Sequence, residues 1–244
     1  RPPAWHGVRY HARMKLLAIE TTTESCSAAL VIGNDLIQRS ELAPRRHAER
    51  ILPMIDELLA EGGIHRHALD VLAVGRGPGA FTGVRLGISL AQGMALGLDR
   101  PLIGVSSLEA LAMGAPLESE HVLTVIDARM GELYAAAWRR DEAGALHLQG
   151  REQVVAAAAL ACPEAPAWAV IGTGWRVDAE TLRARLGAAI EWAEGERYPQ
   201  ALAVAQLAAE KFRRGDAVAP ELVQPVYLRD KVAETLAERA ARKS

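Results

Sequence analysis

Lysine is almost missing from this chain. Only Lys15, Lys211, Lys231 and Lys243 occur, and none lies between residues 16 and 210. That gap excludes a Walker-type phosphate lysine and a Schiff-base lysine from the body of the protein. Cysteine is equally scarce: Cys26 and Cys162 stand far apart with no CxxC. This argues against a zinc cluster and a disulfide framework and fits a reducing cytoplasm. Aromatic residues make up 5% of the chain although 50% is hydrophobic, so the core is expected from aliphatic and small side chains. No run of about 18 apolar residues is present to span a membrane. The formal net charge of -2 supplies no field towards nucleic acid or an anionic membrane, so contact with RNA needs a local patch or a partner. Residues 1–13 (RPPAWHGVRYHAR) are basic but lack the apolar segment of a secretion signal. They and residues 231–244 are expected to be tails, with Met14 as the natural start.

What is present is a repeated order of elements. Lys15 to Glu20 reads as a buried strand, followed by the polar turn Thr21 to Ser25 and strands Cys26 to Ile32 and Leu36 to Leu42 around Gly33-Asn34-Asp35. Apolar residues at helical spacing mark a helix from Arg46 to Ala60, with Pro53 in conflict inside it. Strand Val71 to Gly75 leads through a glycine loop to a helix from an N-cap at Thr82 to Leu98. Strand Leu102 to Val105 and a capping box at Ser106 and Glu109 follow. The second half offers strands His121 to Asp127, Glu132 to Arg139 and Ala145 to Gln149, then a helix near Val155 to Ala161. Strand Trp168 to Ile171, the loop Gly172-Thr173-Gly174 and helix Asp178 to Leu186 complete the repeat. Two copies of one α/β unit predict a duplicated actin-like (ASKHA) fold, with similar lobes over 14–114 and 115–230 facing across a cleft. A last helix, from about Pro199 to Arg214, is expected to pack back on the first lobe, within 199–215.

Such a cleft would place Glu20, Asp127, Gly172, Thr173 and Gly174 around a nucleotide. The first turn, however, has hydroxyls and no glycine, and Arg129 occupies the space a phosphate loop keeps open. We read these five residues as a vestigial site, in which weak ATP or ADP binding is what remains. The glycine-rich run Gly75 to Gly83 leads to a helix N-terminus but matches neither GxxxxGK[ST] nor GxGxxG. No two histidines sit at i, i+4 on a helix, no serine has a nucleophile-elbow context, and Cys26 lies inside a strand. The helix from Thr82 to Leu98 is unusual. Its polar residues Arg85, Ser89 and Gln92 fill one narrow sector, with Val84, Ile88, Ala91, Ala95 and Leu98 on one side and Leu86, Leu90 and Met94 on another. Gly83, Gly87, Gly93 and Gly97 thin it. Such a helix must bury more than one face, against a second chain or wholly within its own domain; the pattern fits both.

Three long segments carry a family resemblance: Met14 to Ala29, Gly75 to Gly97 (GRGPGAFTGVRLGISLAQGMALG) and Pro101 to Glu109 (PLIGVSSLE). Shorter ones are Arg46 to Pro53, Ile126 to Glu132 and Pro225 to Arg229. By these the chain resembles the bacterial TsaB (YeaZ) family. The resemblance implies a non-catalytic scaffold that binds and activates a catalytic paralogue, TsaD. The paralogue transfers a threonylcarbamoyl group to the adenosine beside the anticodon of tRNAs reading A-starting codons. It further implies a TsaE ATPase as partner, tRNA contact only through the complex, and no required cofactor. The paralogue's metal-binding HxxxH is replaced here by Ser107 and Leu111, so no metal and no catalytic residue is expected. The partner interface is expected on the two helices, at His47, Ile51, Ile55, Thr82, Arg85, Leu86, Gly87, Leu90, Gln92, Gly93 and Met94. The same surface is expected to form a homodimer when the paralogue is absent. The alternative is an actin-like ATPase or small-molecule kinase built on Glu20, Asp127 and Gly172 to Gly174.

Overall fold

After Lys15 the first predicted strand has only apolar side chains up to Ile19. The computed structural model, which describes residues 14–187 and 190–229, places it as β1 (Lys15–Glu20) at the centre of a five-stranded sheet. β2 (Ser25–Ile32) and β3 (Asp35–Leu42) extend it antiparallel on one side, turning at Gly33 with φ +57°. α1 (His47–Glu61) crosses to β4 (Val71–Gly75), and α2 (Phe81–Leu98) crosses to β5 (Leu102–Val105), both strands parallel to β1. The strand order is β3-β2-β1-β4-β5.

α3 (Ser107–Ala112) leads into a second sheet with the same plan. β6 (His121–Arg129) is central, β7 (Glu132–Arg140) and β8 (Leu146–Ala156) run antiparallel beside it, and β9 (Trp168–Ile171) pairs parallel on the other side. α4 (Ala179–Leu186) precedes β10 (Ile190–Glu194), which closes the order β8-β7-β6-β9-β10. Two sheets with one topology make this a duplicated actin-like (ASKHA) fold.

Both faces of each sheet are covered, as parallel crossovers require. α1 and α2 lay Ile51, Ile55, Leu58 and Ile88 on Leu17, Ile19, Leu30 and Leu72. α5 (Ala201–Arg214) covers the opposite face of the first sheet, with Val204, Ala205 and Ala208 against Leu16, Ala18 and Ala73. Its N-terminal amides, which have no partner within the helix, are taken by the sheet: Ala201 N donates to Ser27 Oγ at 2.9 Å and Leu202 N to Gln38 Oε1 at 2.8 Å. α3 and α4 cover the second sheet through Leu108 and Leu111 on one face and Leu182 on the other. Among the described residues no helix is long and apolar enough to cross a membrane.

Three local expectations are corrected, and one strand is new. α2 begins at Phe81 after Ala80, and Thr82 makes no cap. Pro53 stays inside α1, on its exposed side, because Ile51, Met54, Ile55 and Leu58 bury around it and outweigh one lost hydrogen bond. The helix near Val155 to Ala161 is instead the end of β8 and one 3-10 turn over Ala157–Ala159. After a register shift, Val154 and Val155 pair with Tyr134 and Leu133 of β7, as β-branched residues favour. β10 was not anticipated; it is short, and its alternation is shallow. The expected tails 1–13 and 231–244 lie outside the described residues.

The four glycines of α2 divide into two pairs. A Cβ at Gly83 would stand 2.2 Å from Thr21 O, and one at Gly87 2.6 Å from Thr21 Oγ1, so both permit close contact with the β1–β2 turn. Gly93 and Gly97 face open space, with nothing within 4 Å. Opposite outcomes follow for one substitution. Gly83→Ala should destabilise the fold by about 1–3 kcal/mol through overpacking. Gly93→Ala should stabilise it by about 0.5–1 kcal/mol through helix propensity. Urea unfolding of the two variants checks the signs.

Candidate functional site

The two lobes meet at a cavity of about 220 Å³. Thr22, Thr23 and Glu24 of the β1–β2 turn form one wall, Asp127 and Arg129 of the β6–β7 hairpin the other, and residues 226–229 run along it. Arg129 holds this wall in place. Its backbone N donates to Asp127 Oδ1 and its Nη1 to Oδ2, both at 2.7 Å, while Nη2 reaches Glu24 across the cleft at 2.7 Å. Both carboxylate oxygens of Asp127 are thereby engaged by one residue, Oδ1 by its backbone amide and Oδ2 by its guanidinium.

Of the five residues expected around a nucleotide, only Asp127 lines this cavity. Thr173 stands behind it, its hydroxyl accepting from Asp127 N at 3.1 Å. Gly172 and Gly174 are drawn away by packing. Gly172 has φ +116°, and a Cβ there would stand 2.3 Å from Val125 O; at Gly174 it would stand 2.9 Å from Val125 Cβ. Glu20 is fully buried and sealed off. Its Oε1 accepts from Thr22 N at 2.6 Å and its Oε2 from Ser107 Oγ at 3.0 Å, and Ser107 Oγ in turn accepts from Thr22 Oγ1 at 2.9 Å. The vestigial site is thus a correction in geometry: one acid at the cleft, one locked beneath it.

Ser107 and Leu111, the positions matched to the paralogue's metal histidines, are 0% and 1% exposed, inside α3 and its core contacts. Among the described residues, no group of three or more His, Cys, Asp or Glu side chains could hold a metal ion. Burial pushes the thiols of Cys26 and Cys162 up to about 11, which leaves little nucleophilic thiolate near neutrality.

The expected partner surface also separates into an inner and an outer set. Ile51 and Ile55 are 1% and 0% exposed and Gly87 is buried, so these three belong to the protein's own core because they face the sheet and the Thr21 turn. His47 is half-buried, with its Nε2 2.8 Å from Thr23 O. Gln92 Nε2 donates to Pro220 O and Val223 O, each at 3.0 Å. The Arg85 guanidinium lies 3.6 Å over the Phe81 ring, and its Nε donates to Tyr227 Oη at 2.7 Å. Thr82 and Gly93 are exposed, and Leu86, Leu90 and Met94 are half-exposed. Leu96 and Gly97 share this outer side and were missed, Leu96 being 59% exposed. The available signal was their spacing of three and four residues from Gly93.

The buried acid sets a pH dependence. Burial pushes the Glu20 carboxyl above the ordinary glutamate range, while the hydrogen bonds from Thr22 and Ser107 pull it down in part. The folded state therefore holds this proton more tightly than the unfolded chain. Its contribution to stability is full below the unfolded value of about 4.3 and is lost as pH rises through the raised folded value. Glu20→Gln should remove that decline. Urea unfolding of both proteins from about pH 4.5 to about pH 8 measures it, with the wild type showing the steeper fall.

Comparison with known proteins follows the same lines. Residues 37–237 match the family model described as TsaD: tRNA N6-adenosine threonylcarbamoyltransferase. The chain is 42% identical over 232 residues to the tRNA threonylcarbamoyladenosine biosynthesis protein TsaB of Escherichia coli (strain K12), covering 90% of this chain and 96% of that protein. It is 37% identical to the Haemophilus influenzae protein of the same name, covering 90% and 95%. The solved structure of YeaZ from Pseudomonas aeruginosa aligns with a TM-score of 0.80 and 39% identity, over 88% of this chain and 100% of that one. Topology, glycine-rich α2 and sequence identity over nearly the whole length agree: the chain belongs to the TsaB (YeaZ) family.

Proposed function

We propose that this chain is a non-catalytic partner subunit in tRNA threonylcarbamoyladenosine biosynthesis, which docks the TsaD paralogue through the outer face of α2 and activates its transfer reaction. One observation carries the reading. Gly93 and Gly97 open onto empty space beside Leu86, Leu90, Met94 and Leu96. A helix interior loses about 1 kcal/mol for each glycine relative to alanine, and nothing among the described residues uses the room they leave. An approaching helix would use it. Two relatives of one fold present equivalent helices, so α1 and α2 of each would form a four-helix seam, which needs more than about 1,000 Å² buried in total to be stable. The same face would pair two copies of this chain when the paralogue is absent.

The cleft supports the non-catalytic half of the reading. Asp127, the acid an ATPase or kinase would use, gives both oxygens to Arg129, and Glu20 is sealed from the cavity. We take any ATP or ADP binding there to be weak, and no cofactor to be required. With a net charge of -2, tRNA is reached through the complex, in which the TsaE ATPase is the third protein.

The test uses the purified chain with TsaD and TsaE from the same source, tRNA and threonylcarbamoyl-adenylate. Gly93→Arg points its side chain into open space and should leave the circular dichroism of the subunit unchanged. It should weaken paralogue binding by about tenfold or more, equivalent to about 1.4 kcal/mol, and reduce tRNA modification with it. Asp127→Ala should change modification less than about twofold, well under 1 kcal/mol. Full modification with Gly93→Arg, or modification by this chain without TsaD, would overturn the proposal.

A further inference from the structure

The segment after α5 ties the two lobes together. Val223 is 5% exposed in the core shared by α1 and α2, and Gln92 of α2 holds its carbonyl and that of Pro220. Val226 N donates to Arg76 O at 3.0 Å, beyond the end of β4. Tyr227 lies beside Phe81, with ring centroids 5.9 Å apart, and its hydroxyl accepts from Arg85. All of these anchors belong to the first lobe. Two residues later the chain reaches the second. Arg229 Nη2 donates to Ala128 O at 3.1 Å and to the Glu132 carboxylate, and Nη1 lies 3.8 Å from Met130 Sδ. The same stretch, 226–229, runs along the inter-lobe cavity.

We infer that residues 223–229 are a latch that fixes the separation of the lobes over the cavity, and that the Arg229 end is the one that lets go. Three residues span at most about 11 Å, so the lobes cannot move far apart while Val226 and Arg229 both hold. The two ends differ in kind. Val223 is held by core packing and by two backbone carbonyls accepting from a side chain that is itself half-buried. Arg229 and Glu132 keep 20% and 38% of their side-chain surface in solvent, where dissolved ions screen their attraction. Arg129–Glu24, another ionic link between the lobes, has a far more exposed cation, at 70%, while Arg76–Glu152, at 4.0 Å, is the more buried link, at 31% and 10%. Opening therefore begins where charge meets water and leaves the apolar anchor seated. Because Arg85 and Gln92 both stand on α2, the latch is held by the same helix whose remaining face looks outward, yet it works within one chain and requires no partner.

Spin labels on the full chain read the separation directly. Leu42→Cys and Leu148→Cys place them on exposed positions of the first and second lobes, away from α2, in a Cys162→Ala background that leaves only the buried Cys26, and dilution with unlabelled protein removes distances between chains. Pulsed electron resonance should show one narrow distance in this protein. Adding Arg229→Ala should shift the distribution to longer distances and broaden it, and Glu132→Gln should do so to a lesser degree. Hydrogen exchange on the unlabelled variants should accelerate over residues 226–229 and the β6–β7 hairpin by about tenfold, with β1 and β4 unchanged. An unchanged distance distribution in Arg229→Ala, or acceleration spread evenly over both sheets, overturns the latch.

Discussion

The contact between α2 and the β1–β2 turn governs the arrangement of everything around it. Gly79 and Gly83 let backbone meet backbone: a Cβ at these positions would stand 2.3 Å from Thr22 O and 2.2 Å from Thr21 O. Thr21 Oγ1 reinforces the approach by donating to Gly83 O at 2.8 Å, and Ala80 N donates to Thr22 O at 2.7 Å. The α2 side of the turn is thereby filled, while Thr22, Thr23 and Glu24 line the cavity on the other. Glu20, one residue earlier, is closed in beneath it by Gly75, where a Cβ would stand 2.0 Å from Oε2. With one side of α2 pressed so closely onto the turn and sheet, its other side is presented to solvent.

The second lobe repeats the device with different residues. Gly75 ends β4 and presses on the end of β1; Gly172 follows β9 and presses on β6, its equivalent. The two lobes thus share a steric rule, a residue without a side chain at or just after the end of the parallel strand beside the central one, while the acids at the two central strand ends differ. Glu20 is buried and bonded to hydroxyls, whereas Asp127 remains at the cleft and is matched by Arg129. The cleft is bridged by Arg129 and Glu24 and, along residues 226–229, by Arg229 and Glu132.

The duplicated order of elements was legible because strand and helix periods are strong where a whole face is buried, as in β1, α1 and α5. Ser106 at the start of α3 was legible from its spacing to Glu109, and the 3.3 Å bond between them is present. β10 and the end of β8 were not, because half-buried edge strands give weak alternation and the Ala157 run imitates a helix. Site residues were harder. Ile51, Ile55 and Gly87 look like partner contacts in a pattern of apolar and small residues. Only the sheet's position reveals that they face inward. The opposite holds for Leu96 and Gly97, whose exposure depends on how α2 is rotated. Gln92 and Arg85 sit in the polar sector as expected, but their bonds to residues 220–227 join positions more than a hundred residues apart, and no local pattern encodes them.

The central claim, that the outer side of α2 is covered by the TsaD paralogue, is tested most directly by hydroxyl-radical footprinting of this chain, diluted until it is monomeric, and of the complex. Met94 and Met130 are natural reporters, half-exposed on α2 and 62% exposed on the β6–β7 hairpin respectively. The account predicts that oxidation of Met94, with Leu86 and Leu90, falls several-fold in the complex. Oxidation of Met94 as fast in the complex as in the free chain, with Met130 protected instead, would contradict it.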